Sequence, residues 1–175
     1  MALEIGFYPA EFHNVANTTG KMGGQINSST PLSASLNAFF PEGVSDYIGQ
    51  SDRLRFQTIY IKNTGSATIN NPKIFLNNVK HAGQITIFNS LTNQASVTGS
   101  TATGSATGYN GVWTGAESFS EPIGVTNAVP LSGLGSAITS LASGEYLGVV
   151  VRQVIGDNLP TETGASTTIG IIGEV

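Results

Sequence analysis

The residues that could do chemistry in this chain are few, and their spacing argues against a reaction centre. Glu117 and Glu121 follow Trp113 closely and could flank a sugar-binding cleft. A glycosidase needs two carboxylates about 5–10 Å apart beside the scissile bond. In their loop-like setting these two read as exposed loop carboxylates. The two histidines, His13 and His81, have no partner ligands at a metal-binding spacing, and there is no cysteine. Serines abound, but no Gly-x-Ser-x-Gly elbow occurs. Gly133-Leu134-Gly135-Ser136 and the Gly20–Gly24 stretch lack the strand-loop-helix setting of a phosphate loop. Asp157-Asn158 reads as a turn before Pro160, with too few oxygens for calcium. Asn17-Thr18-Thr19 and Asn27-Ser28-Ser29 match a glycosylation pattern that no secretion signal supports. The expectation is a protein that is not an enzyme, with no catalytic residue, no cofactor and no metal.

Composition bounds the alternatives. The chain has 175 residues, enough for one domain with an extension. Hydrophobic residues make up 39%, enough for a sandwich core. Charged residues are only 10%, against roughly 25% in ordinary soluble domains. Ser, Thr, Asn and Gly must therefore cover the surface, which suits a protein packed among many neighbours. The seven Lys and Arg are scattered and the net charge is −4, so no basic stripe exists and no nucleic-acid partner is expected. The start, MALEIGFYPAEFH, lacks the basic and long apolar regions of a secretory signal. No stretch approaches the roughly 18 apolar residues of a membrane helix. The reading is a protein made in a cytoplasm, with no membrane partner.

The elements that must carry any site are strands. Arg53–Leu76, RLRFQTIYIKNTGSATINNPKIFL, holds two β-branched and aromatic runs around Asn63-Thr64-Gly65-Ser66. This pattern reads as a β-hairpin or as neighbouring strands of a sandwich. Further strands are expected at Gln84–Phe88, Val112–Thr114, Ser118–Phe119, Glu145–Val154 and Thr167–Ile172. Residues 92–111, rich in Ser, Thr and Gly, read as a long exposed loop or hairpin tip. Ala137–Leu141 reads as at most one helical turn, because nearby glycines oppose a longer helix. The fold class is all-β: a single antiparallel β-sandwich, jelly-roll or Ig-like, over residues 53–175, with an extended N-terminal arm over 1–52.

The arm carries Phe7, Tyr8, Phe12, Phe39 and Phe40 without sustained periodicity. Loops avoid such residues unless they pack on something. The segment either folds over its own sandwich or docks on a neighbouring subunit or a larger scaffold, with these five aromatics as contact anchors. Tyr109 and Trp113 border the low-complexity stretch. Buried, Trp113 is a core residue; exposed, the pair is a stacking platform for a sugar, as in a carbohydrate-binding or adhesion module of a phage tail or cell surface.

Two stretches carry a resemblance. Tyr60–Leu76, YIKNTGSATINNPKIFL, and Leu141–Val154, LASGEYLGVVVRQV, are followed by a hydrophilic loop and a last strand. This order resembles small β-sandwich structural proteins of tailed bacteriophages, and among them head decoration (cement) proteins. The likeness covers about a third of the chain, and Val151-Arg152-Gln153 carries one basic residue where two are usual. It implies a non-enzymatic virion component on the outer capsid surface, a homotrimer that binds the major capsid protein and bridges capsomers.

Overall fold

The computed structural model describes residues 2–10, 21–24, 26–32, 53–79, 84–88, 102–105, 120–133, 136–155 and 167–175. Its elements are β1 (Ile5–Pro9), β2 (Lys21–Gly24), β3 (Arg53–Asn63), β4 (Ile69–Asn77), β5 (Ile85–Phe88) and β6 (Ala102–Ser105). A short 3-10 helix (Val125–Asn127) precedes β7 (Val129–Pro130), β8 (Ser132–Gly133), β9 (Ser136–Ala137) and β10 (Ser140–Leu141). The long β11 (Tyr146–Ile155) and β12 (Thr168–Glu174) complete the chain. The protein is all-β, as its alternating runs require, and no described helix is long enough to cross a membrane.

Two sheets share one core. The first has the order β1-β3-β11-β5; the second has β10-β4-β12, with β7 also on β4. All strand pairings are antiparallel. Cross-strand partners point to the same face. The register Phe7–Ile61–Leu147 and the pairs Ile59–Val149 and Val151–Ile87 therefore define the inward face of the first sheet. Ile74 and Leu76 of β4 answer from the second sheet. Leu131 joins them, and Ile169 and Ile171 of β12 pack at the margin. Each fully buried Ile or Leu contributes roughly 1.5–3 kcal/mol.

The segment between β3 and β4 resolves an open alternative. The two strands do not pair with each other; they lie in different sheets. The Asn63-Thr64-Gly65-Ser66 turn is thus a crossing between the layers of the sandwich, not a hairpin.

Other local readings are revised by tertiary pairing. Residues 137–141 form no helical turn. Ser136–Ala137 pairs with Ser132–Gly133, and Ser140–Leu141 pairs with Asn70 and Ile69. The edge of β4 offers ladder hydrogen bonds that one helical turn cannot match. Within the Ser/Thr/Gly-rich stretch, Ala102–Ser105 is a strand paired with Lys21–Gly24. Ile5–Pro9, expected in an arm, is β1, paired along its length with β3. The strands expected at 112–114 and 118–119 lie outside the described residues.

Candidate interaction surface

The site is best built from the turn that links the layers. Asn63 is 1% exposed and ends β3. Its side-chain amide donates to the carbonyls of Ala67 and Leu141, each at 2.8 Å, and its Oδ1 accepts from the Gly65 N–H at 3.0 Å. Its backbone N–H and C=O pair with Glu145 and Gly144. Around it, the Ser143 hydroxyl donates to the Gly65 carbonyl at 2.6 Å, and the Ala142 N–H donates to Glu145 Oε2 at 2.7 Å. Gly144 has φ of 79°, the left-handed value required at the third position of a type II turn. Asn-Thr-Gly and Ser-Gly-Glu, far apart in sequence, thus form one hydrogen-bonded junction. One small amide satisfies three backbone groups, two of them buried, and a buried group left unpaired would cost about 1–3 kcal/mol.

This junction fixes how the two sheets present their outer faces. On the first sheet, Tyr8, Tyr60 and Gly148 form one cross-strand row, and Gly6, Lys62 and Tyr146 the next. Tyr60 and Tyr146 meet edge to face, with centroids 5.6 Å apart at 87°. The Lys62 ammonium lies 5.6 Å from the Tyr8 ring centroid, within cation–π range. Gly6 makes room for that tyrosine, since a Cβ there would come within 2.6 Å of its ring. Further along, Arg152 Nε donates to Thr86 Oγ1 at 2.9 Å, and burial lowers the Arg152 guanidinium below its ordinary pKa. Thr58 is buried, and its hydroxyl has no hydrogen-bond partner among the described residues. Tyr60, Thr86 and Val150 are likewise buried, so the middle of this outer face is withdrawn from solvent, while Lys62, Tyr146 and Arg152 beside it are half-buried.

The second sheet is different. Its outer face carries Lys73, Asn77, Thr168 and Glu174, all exposed, with Phe75 and Ile172 half-buried. Phe75 lies over Gly170, where any Cβ would strike its ring. Beside it runs an open groove of about 520 Å³. Asn71 to Lys73 form one wall, Ala137 to Thr139 another, and Pro130 and Ile172 to Glu174 complete it. Lys73 and Glu174 place one charge of each sign on its lining, and the described lining offers no convergent set of reactive groups.

The sequence-derived anchors are scattered by the fold. Phe7 packs against this chain's own core, and Tyr8 is 9% exposed beneath Lys62. Both are held in β1 rather than on a free extension. Phe12, Phe39, Phe40, Tyr109, Trp113 and Glu117 lie outside the described residues. Glu121 sits beside Ser120, which bridges to β5. Among the described residues no group of three or more His, Asp or Glu comes together as a metal site. The groove was not anticipated, because four stretches remote in sequence build it and none signals the others.

Comparison of the chain with protein-family models, with curated proteins and with solved structures finds no match to any of them.

Proposed function

We propose that this protein is a non-enzymatic structural component of a virion, a capsid decoration protein of a tailed bacteriophage. In this reading it assembles as a homotrimer, binds the major capsid protein on the outer lattice and bridges capsomers. The observation that carries the proposal is the second sheet's broad, sparsely charged and open outer face beside a first sheet whose outer face is covered in the middle. A cement protein acts through contact area, and many copies multiply a modest interface energy. Symmetric assembly suits a symmetric lattice site. The junction of the Asn-Thr-Gly and Ser-Gly-Glu turns adds support, since the two stretches that carry the resemblance form one structural unit.

The test is co-sedimentation of the purified protein with heads that lack it, followed by cryo-electron microscopy. Density at three-fold or quasi-three-fold positions is the expected result. Replacing Phe75 and Ile172 by Glu should abolish decoration while the sandwich stays folded. Failure of the wild-type chain to bind any head, or its location on the tail, overturns the reading.

A further inference from the structure

The edges of the two sheets are not treated alike. The outer edge of β1 is covered by residues 26–32: Asn27 and Leu32 donate to the Pro9 and Phe7 carbonyls at 2.9 and 2.7 Å. The edge of β5 is closed by Ser120, which exchanges two hydrogen bonds with Ile87. The far side of β4 is closed piecewise by β10, β7 and residues 122–124. Apart from the two-residue β7 and β10, the outer edge of β12 is the one edge of these two sheets to which no strand, bridge or loop hydrogen bond is made among the described residues.

The orientation of that edge follows from β4. Leu76 uses its N–H and C=O on Pro122 and Gly124, away from β12. Its partner Ile169 is then in a non-hydrogen-bonded pair, and so is Ile171 two residues on. The N–H and C=O of both residues point out of the sheet. Their side chains face the core yet stay half-exposed, whereas Leu76 and Ile74 opposite them are 0% exposed. One added strand would satisfy four backbone groups and finish burying two isoleucines.

We infer that β12 joins two copies of this chain, antiparallel across a two-fold axis at Gly170, to make one sheet that runs through both molecules. The strand's own chemistry selects a second copy. Thr168 to Gly173 carries no charge and no Lys or Pro to blunt the edge. A charged peptide or a nucleic acid would find no counter-charge along it. In the two-fold register, Ile169 faces Ile171 of the second copy in both hydrogen-bonded pairs. Gly170 faces Gly170 of the second copy in the close pair, where the absence of side chains removes any clash. The two Glu174 carboxylates fall at opposite ends, so no like charges meet. A single strand pair is small for an interface, so the association is weak and concentration-dependent. The contact is one of pairs in solution and does not depend on the capsid reading; in a homotrimer it would link one trimer to another.

The test is sedimentation velocity on the full chain across a wide concentration range, with hydrogen exchange at the Ile169 and Ile171 amides. The expected result is a doubling of the particle mass on concentration, with slower exchange at those two amides. Ile169→Pro removes an outward N–H but no bond to β4, and should abolish the doubling. Ile169→Ala loses comparable packing, keeps the N–H and should still double. The inference is overturned if mass and exchange are independent of concentration. It is also overturned if the two amides are protected at every dilution, which would mean that the chain covers its own edge. Equal behaviour of the Pro and Ala variants would overturn it too.

Discussion

On the first sheet the outward-facing Thr58, Tyr60, Thr86 and Val150 are as buried as the core behind them. On the second sheet the equivalent face shows Lys73, Asn77, Thr168 and Glu174 to solvent. The strands differ accordingly. β11, YLGVVVRQVI, is a near-continuous apolar run, the pattern of a strand buried on both sides; β3, RLRFQTIYIKN, mixes apolar with polar residues, and its Thr58 and Tyr60 are buried all the same. β4 alternates buried and exposed positions, the pattern of a sheet with one wet face. The comparison separates two tasks. The first sheet, with its tyrosine rows and closed edges, holds the molecule together. The second carries the groove, an open face and the β12 edge that has no partner among the described residues.

Four substitutions would break or sharpen this contrast. The largest effect is expected from Val150→Asp, which places a carboxylate on the covered outer face. It should cost about 3–5 kcal/mol in urea unfolding, the penalty of an unpaired buried charge. The matched change Thr168→Asp, on the open face, should stay within about 0.5 kcal/mol. Equal costs would mean that the two faces are not different.

Next is Asn63→Ala, which strands the Gly65 N–H and the Ala67 and Leu141 carbonyls. A loss of about 3 kcal/mol is expected from denaturant titration. Asn77→Ala, exposed on the second sheet, is the control and should be near neutral. A small effect at Asn63 would remove the turn junction from the account of how the sheets are joined.

Gly170→Ala should follow, at about 1–3 kcal/mol, because the added methyl meets the Phe75 ring. In the double variant with Phe75→Ala the two losses should be non-additive, which a double-mutant cycle measures directly. Additive losses would mean that the contact does not limit the outer face.

The smallest change is Thr58→Val. It removes a buried hydroxyl without a partner among the described residues while keeping the shape, and should gain about 1 kcal/mol. A loss of stability instead would reveal a water or another group satisfying that oxygen.

Much of this architecture was legible in residue order. β3, β4, β5, β11 and β12 fall on the runs that alternation and β-branching mark out, because a strand's burial is written locally, at every second residue. The signals faded where an element depends on a remote partner. Ala102–Ser105 has the composition of a loop and is a strand only because Lys21–Gly24 lies beside it. Ser140–Leu141 exists as a strand because Ile69 and Asn70 offer an edge. Ile5–Pro9 is short and has no flanking period, so its pairing with β3 could not be seen from its own residues. The groove and the β12 edge were hidden for the same reason. Phe7 and Tyr8, chosen as outward anchors for their size, serve this chain's own sheet.

By itself, then, the sequence determined the strand class, the low charge and the positions of the long strands, since each rests on neighbours along the chain. It also marked Asn63 to Ser66 as the break between two strands. Only the tertiary structure decided that β3 and β4 part into separate sheets, that the middle of one outer face is covered and the other open, and that β12 has an edge with no partner among the described residues. Those properties belong to pairs of segments distant in sequence. Their energy comes from which backbone edge finds which partner, and a linear pattern of residue types does not record that choice.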